Sequence, residues 1–177
     1  MLNRYNIALI PLTQGVRIIK LAKKFAGISE SYLLGNKSFS HVTLCQFMQT
    51  ESALEELWKK VSNALKPHFI ELEFREFSFF ENPHVYWISL KPDKIEVLKK
   101  MHSTVAKIIR KPLGRSFKMY DAHMTLVNTV HKDFLSLAKA VEKNYIPIKD
   151  TFYLALGKSD EVGQFKEIIY SHQPDMK

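Results

Sequence analysis

The chain has 177 residues, of which 46% are hydrophobic and 25% charged, so it is long and apolar enough to bury a globular core. Its formal net charge of +8 suits an anionic partner such as RNA, DNA or nucleotides, the alternative being a basic surface with no special partner. The single cysteine, Cys45, excludes an internal disulfide and reads as a small strand residue rather than a nucleophile.

Hydrophobic periodicity predicts strands that alternate with helices in both halves of the chain. In the first half, strands are predicted over 5–12, 38–47 and 70–80, and helices over 16–26 and 50–66. In the second half, strands are predicted over 84–90, 120–129, 151–156 and 164–170, and helices over 93–110 and 133–144. Such an alternation implies helices packed outside sheets.

Polar residues at the predicted helix starts suggest how these helices begin. Ser52 and Glu55 have the spacing of a capping box, while Asp93 and Asp133 stand where an N-cap is expected. The apolar run at 5–12 is too short for a membrane span and lacks a signal-peptide cleavage pattern. We therefore expect a cytoplasmic protein that does not enter a membrane.

One tetrapeptide pattern occurs twice, 82 residues apart. The two copies are His41-Val42-Thr43-Leu44 and His123-Met124-Thr125-Leu126. Alternate side chains of a strand share a face, so each copy presents an imidazole and a hydroxyl together. The residues between them point the other way, into a core. The repeat therefore predicts two matching rigid platforms for polar chemistry.

Two H-x-T-L motifs at this spacing resemble the 2H phosphoesterase superfamily, which includes the LigT-like RNA 2′,3′-cyclic phosphodiesterases, long called 2′-5′ RNA ligases. Ala122 stands where the family often has proline before the second motif. The resemblance implies an α+β fold with two pseudo-symmetric lobes, antiparallel-rich sheets lining a central cleft, and helices outside. We expect a single two-lobed domain over 1–177, with lobes at 1–81 and 82–177 and a seam near 81–83.

Two facing histidines suit phosphodiester cleavage without a metal, because an imidazole with a pKa of about 6.5 serves as either base or acid near neutral pH. The resemblance makes His41, Thr43, His123 and Thr125 the catalytic set, with the two hydroxyls stabilising the transition state. The sequence leaves open which histidine is the acid. Asp121 shares a strand face with His123 and is a candidate to tune it, or else a residue of the strand entry. No metal-binding motif joins the two histidines.

Further residues near the motif strands are candidates for substrate contacts. Cations could neutralise phosphates, and aromatic rings could stack on a base; solvated loop charges and core packing are the respective alternatives. The cations are Lys37, Arg115 and Lys118. The aromatic residues are Tyr5, Phe47, Trp87 and Tyr120.

The sequence thus predicts a metal-independent phosphodiesterase with no cofactor, acting as a monomer on RNA, an oligonucleotide or a cyclic nucleotide. The bond cleaved could be a 2′,3′-cyclic phosphate, a 2′,5′ linkage or one in a cyclic oligonucleotide. Two alternatives stay open: a non-catalytic RNA- or nucleotide-binding domain on the same fold, and a protein-interaction module with vestigial motifs.

Overall fold

A computed structural model of the chain describes residues 1–35, 37–82, 84–113 and 120–174. The strands are β1 (Asn3–Pro11), β2 (Val42–Gln49), β3 (Phe69–Asn82), β4 (Val85–Pro92), β5 (Pro112–Leu113), β6 (Met124–Thr129), β7 (Ile148–Ser159) and β8 (Phe165–Ser171). The helices are α1 (Gly15–Lys23), α2 (Leu54–Ala64), α3 (Ile95–Ile109) and α4 (Phe134–Glu142), with short 3₁₀ turns at Ala26–Ile28 and Glu51–Ala53. The mixed α+β class and the predicted order of elements are confirmed, and the two-residue strand β5 is an addition.

The eight strands of the described residues belong to one antiparallel sheet. Seven of them follow the order β5-β2-β1-β7-β3-β4-β6, and β8 lies off this path, paired with β7. Strand β7 is the centre of the sheet. One edge of β7 pairs with β1, and the other pairs first with β3 and then, from Ala155 to Ser159, with β8. Gly157 permits the close approach of β8, since an added Cβ would overlap with the carbonyl oxygen of Glu167. The sheet therefore forks at β7.

The two ends of the sheet are brought towards each other by the segment 30–34. The N–H of Leu34 donates to the carbonyl of Leu126 over 2.8 Å, and the N–H of Asn128 donates to the carbonyl of Tyr32 over 3.0 Å. The segment therefore covers the edge of β6 that does not pair with β4. The same segment leads into β2. The sheet is thus curled, with the two motif strands on opposite walls of a cleft.

The core lies on the other side of the motif strands. Val42, Leu44, Met124 and Leu126 are wholly buried, as the alternation predicts. Helix α3 packs against β2 and α1 packs against β6. Each motif strand is therefore backed by a helix, which holds its polar face towards the cleft.

Strands from both predicted lobes share one sheet. β3 and β4, on either side of the predicted seam, pair with each other, and β7 pairs with both β1 and β3.

Asp133 is the N-cap residue of α4 as predicted, although its side chain makes no capping hydrogen bond. The capping box at Ser52 and Glu55 and the cap at Asp93 are wrong, because α2 and α3 have Ala53 and Lys94 at their N-cap positions and neither has a side-chain capping bond. The Asp93 carboxylate instead accepts a hydrogen bond from the N–H of Glu73, on a neighbouring strand.

Candidate active site

His41 lies one residue before β2 and is held by its own backbone. Its Nδ1 is 2.9 Å from the carbonyl oxygen of Phe39. Since a carbonyl only accepts, Nδ1 carries the proton, and Nε2 is the basic nitrogen of the neutral ring. The side chain is 6% exposed, beside the ring of Phe165 at 5.5 Å between centroids. This histidine is fixed in both tautomer and orientation.

Burial lowers the pKa of His41 from 6.5 to about 4, because the enclosed site solvates an imidazolium poorly. The backbone of Phe39 and of Gly163, in the β7–β8 turn, acts on this pKa in the opposite direction but does not cancel the effect of burial. The electrostatic influence of His123, which lines the same cleft, lowers the pKa of His41 in the same direction as burial. At neutral pH, His41 is therefore uncharged.

His123 stands in the matching place before β6, and its backbone contact is the same. Its Nδ1 is 2.8 Å from the carbonyl oxygen of Asp121, two residues upstream, as Phe39 is from His41. The main chain of Asp121 thus orients the ring. The sequence analysis named Asp121 as a candidate to tune His123 but did not predict that its backbone carbonyl makes the contact. Unlike His41, His123 is exposed to solvent. The two histidines share one geometry in different environments.

Thr43 is oriented by Asn6, a residue that the sequence analysis missed. The Asn6 side chain is fully buried in β1, and its Nδ2 donates to Thr43 Oγ1 over 3.1 Å. Because Oγ1 accepts this bond, the hydroxyl hydrogen of Thr43 remains available to another acceptor. A lone asparagine in the apolar run 5–12 was the signal that could have drawn attention to it.

Tyr120 joins the two motif segments. Its hydroxyl donates to the carbonyl of Thr43 over 2.7 Å, and its ring stacks on His102 with centroids 4.1 Å apart and planes at 4°. His102, on α3, in turn places Nδ1 2.6 Å from the carbonyl of Leu44. One face of Tyr120 is therefore occupied by a histidine, and its hydroxyl holds the segment before His123 against β2.

A cleft of about 490 Å³ contains these groups. The described residues that line it include all four motif residues, His41, Thr43, His123 and Thr125, together with Trp87 and Tyr120. Further lining residues include Tyr32, Cys45, Gln46, Ser78, Phe80, Ser89 and Gly163. The curled sheet thus brings the two distant tetrapeptides to one cavity.

The remaining predicted substrate contacts have different outcomes. Tyr5 and Phe47 are 0% and 1% exposed and pack against each other in the core, so the predicted stacking of a base on either ring is wrong. Lys37 is exposed and does not line the cleft. Arg115 and Lys118 lie outside the described residues.

Cys45 lines the cleft but is poorly suited to be a nucleophile. It is 3% exposed, and burial raises the pKa of its thiol to about 12, so the reactive thiolate is disfavoured. Within the described part of the chain, no group of three or more His, Cys, Asp or Glu side chains is arranged to hold a metal ion. In that same part, no helix is both long and apolar enough to cross a membrane.

Comparisons with known proteins agree with this fold. The family model of the 2′-5′ RNA ligase superfamily matches residues 30–153, a range that includes both motifs. E. coli LigT complexed with 3′-AMP has a TM-score of 0.65 and 13% identity, covering 97% of each chain. Kluyveromyces marxianus Usb1 with uridine monophosphate has a TM-score of 0.56 and 15% identity, covering 97% of this chain and 98% of that chain. Among curated protein sequences, none matches significantly.

Proposed function

The chain belongs to the 2′-5′ RNA ligase superfamily, and from this premise we propose that it is a metal-independent phosphodiesterase acting on a nucleotide. The bond cleaved is a 2′,3′-cyclic phosphate, a 2′,5′ linkage or a bond in a cyclic oligonucleotide. One observation carries the proposal: both His-x-Thr motifs line the same cleft, and each ring is fixed through Nδ1 to a backbone carbonyl. That arrangement leaves Nε2 of each ring to exchange a proton.

The different burial of the two histidines supports a division of labour. The neutral His41 is the general base, and its Nε2 takes a proton from water or from a ribose hydroxyl. The oxygen so activated attacks phosphorus. His123, as the imidazolium, gives its Nε2 proton to the ribose oxygen that leaves. One P–O bond forms and one breaks, and each histidine ends in the protonation state opposite to its starting one.

The two threonines stabilise the negative charge on the non-bridging oxygens of the phosphate. Thr43 donates its hydroxyl hydrogen, because its oxygen already accepts the bond from Asn6. Thr125 lies in the corresponding place on the opposite wall. The nucleotides bound by E. coli LigT and by Kluyveromyces marxianus Usb1, 3′-AMP and uridine monophosphate, support a nucleotide as the substrate here.

Hydrolysis of a small substrate panel tests the proposal. The panel holds adenosine 2′,3′-cyclic phosphate, 2′,5′-oligoadenylate and a cyclic dinucleotide, each assayed with and without EDTA. We expect turnover of at least one of them that EDTA does not reduce. His41→Ala and His123→Ala should each lower kcat at least ~10²-fold, since each removes one proton-transfer role. His84→Ala, at an exposed histidine outside the cleft, is the matched control and should keep full activity.

Two outcomes contradict the enzymatic proposal. Affinity for these nucleotides without turnover would instead indicate a nucleotide-binding domain. Turnover that survives both histidine substitutions would place the chemistry elsewhere.

A further inference from the structure

Strand β2 contains one extra residue directly after Thr43. The register pairs Ile7 of β1 with Cys45, and it pairs the next residue, Ala8, with Thr43. Leu44 is therefore the extra residue of a β-bulge. A bulge bends its strand, increases the local twist and changes the direction of the side chains beside it. The direction in which Thr43 points into the cleft thus depends on how this bulge is held.

The second motif strand has the same irregularity at the same position. On β4, Ile88 pairs with Val127, and the next residue, Ser89, pairs with Thr125. Leu126 is therefore the extra residue of β6, again one position beyond the motif threonine. The bulge recurs at the fourth residue of both tetrapeptides, on the two opposite walls of the cleft. The local bend of the strand is thus repeated together with the sequence.

The carbonyl groups of the two bulged leucines accept hydrogen bonds from different kinds of donor. The carbonyl of Leu126 accepts one from the backbone N–H of Leu34 over 2.8 Å. The carbonyl of Leu44 lies 2.6 Å from Nδ1 of His102, on α3. Since a carbonyl only accepts, this Nδ1 carries the proton. At the first bulge an imidazole therefore makes the bond that a main-chain N–H makes at the second.

His102 is itself held in place by its surroundings. Its side chain is 7% exposed, on a helix that packs against β2. The ring of Tyr120 stacks on it with planes at 4°, and the Tyr120 hydroxyl donates to the carbonyl of Thr43 over 2.7 Å. Two consecutive carbonyls of β2, those of Thr43 and Leu44, are therefore bound by one stacked pair of side chains.

We propose that His102 is a positioning residue, which holds the bulge of β2 so that the hydroxyl of Thr43 points at the phosphate. This inference rests on the proposed function, in which Thr43 stabilises the non-bridging oxygens. His102 acts through the backbone of Leu44 and not as an acid or a base. Asn6 directs the hydroxyl of Thr43, and His102 directs the main chain that carries it, so the two contacts complement each other.

Two substitutions at His102 separate its donor from its volume. His102→Asn keeps an N–H donor near the position of Nδ1, whereas His102→Leu keeps a side chain of comparable size without a donor. On a substrate of the panel that the wild type cleaves, His102→Leu should lower kcat about 10- to 100-fold with little change in KM, because a group that acts in the transition state is misdirected. His102→Asn should keep most of kcat.

A matched control separates this effect from weakened packing of α3. Val105 is fully buried on the same helix and is not among the described residues that line the cleft. Val105→Ala should therefore lower stability and keep kcat. A fall in kcat for Val105→Ala as large as that for His102→Leu would overturn the inference, as would equal losses for His102→Leu and His102→Asn.

The dependence on Thr43 is the second part of the test. In a protein that already carries Thr43→Val, His102→Leu should have no additional effect on kcat, because the hydroxyl that it directs has been removed. A further loss in that background would mean that His102 acts by another route. Wild-type kcat in the single variant His102→Leu would equally overturn its role.

A measurement without substrate keeps this inference distinct from the proposed function. The rotamer of a threonine side chain is measured in solution from NMR couplings between its methyl carbon and the backbone. In the wild type, Thr43 and Thr125 should each have one rotamer. In His102→Leu, Thr43 should average between rotamers, while Thr125, whose bulge is held by the main chain of Leu34, should stay fixed.

These couplings decide the inference even if the wild type cleaves nothing in the panel, in which case the proposed function alone has failed. A single, unchanged rotamer of Thr43 in His102→Leu would reject the positioning role. If His102→Leu does not fold, His102→Gln replaces it, because its amide extends one bond further, to the position of Nε2, and no longer meets the carbonyl of Leu44. The same averaging at Thr43 is expected, and its absence would have the same meaning.

Discussion

The amide of Asn6 occupies an apolar strand at some cost in stability. Its Nδ2 donates to Thr43, but among the described residues its Oδ1 has no hydrogen-bond partner although it is buried. A buried polar atom without a partner costs about 1–3 kcal/mol. The residue therefore serves the orientation of Thr43 better than it serves the fold, a common pattern at functional sites.

Replacing Asn6 with the similarly sized leucine separates these two effects. We expect Asn6→Leu to leave the free energy of unfolding unchanged or to raise it, because the unpaired amide oxygen disappears. Activity should fall at least ~10-fold, because Thr43 no longer has its hydroxyl directed. Urea unfolding measures the change in stability, and steady-state kinetics measure the change in activity. In the double variant with Thr43→Val, Asn6→Leu should have no additional effect on kcat; an additive loss would show that Asn6 acts by another route.

The enclosed position of His41 makes stability depend on pH in a specific direction. Its pKa is about 4 in the folded protein and about 6.5 when unfolded, so the unfolded chain takes up the proton first as the pH falls. Stability is therefore present above pH 6.5 and is lost between pH 6.5 and 4. From pH 7.5 to 4.5 this histidine alone should remove about 2–3 kcal/mol.

Urea unfolding of the wild type and of His41→Gln at both pH values measures this contribution. The variant should lose about 2–3 kcal/mol less than the wild type over the same range. Other titrating groups are shared by the two proteins and cancel in the comparison. Parallel pH profiles of stability would mean that His41 titrates normally in the folded protein.

At the scale of elements, the β7–β8 turn controls how much solvent reaches His41. Gly163 in this turn has a φ of +88°, and an added Cβ would lie 3.0 Å from Nε2 of Gln46. The backbone conformation therefore favours glycine. An added Cβ would strain this turn beside His41, and the flexible end of the Gln46 side chain would have to shift to make room.

Gly163→Ala should lower stability by about 1–2 kcal/mol, because alanine in this backbone region is strained. If the turn is displaced, His41 gains solvent and its pKa rises from about 4 towards the ordinary 6.5. The acid limb of the kcat/KM profile should then move to higher pH. Gly27→Ala is the matched control, since its added Cβ meets nothing within 4 Å. An unmoved acid limb in a folded Gly163→Ala protein would contradict this role of the turn.

The order of elements was predictable because hydrophobic periodicity is a local property. Strand β5 has two residues, too few to show a hydrophobic periodicity in the sequence. The cap at Asp93 failed for a different reason: its carboxylate accepts a hydrogen bond from β3, twenty residues away in the chain, which local spacing cannot reveal. The same limit explains Asn6 and His102, whose partners lie on strands distant in sequence. The shared cleft face of the motif residues, in contrast, followed from strand alternation and the repeat.

At the scale of the whole molecule, the two halves of the sequence depend on each other. Strand β7 comes late in the chain, yet it lies between β1 and β3, both from the first half. Segment 30–34 likewise covers β6. Covalent order and spatial order therefore differ, and each half alone would leave long strand edges without hydrogen-bond partners.

We accordingly expect residues 1–81, expressed alone, to remain unfolded, with little dispersion in an amide NMR spectrum. The full chain should unfold in urea in one transition that circular dichroism and tryptophan fluorescence report at the same midpoint. Mixing fragments 1–81 and 82–177 should restore the dispersed spectrum if fragment 1–81 is unfolded because it lacks β7, the strand between β1 and β3. A fragment 1–81 that folds alone would argue for two independent lobes.

The fork of the sheet at β7 has a consequence for the rigidity of the cleft. Both motif strands belong to one hydrogen-bonded sheet, so backbone ladder bonds fix the spacing of the walls on which the two imidazoles stand. Under the proposed function, a nucleotide would enter a cleft whose catalytic groups are already in place, and aligning them would use little of its binding energy.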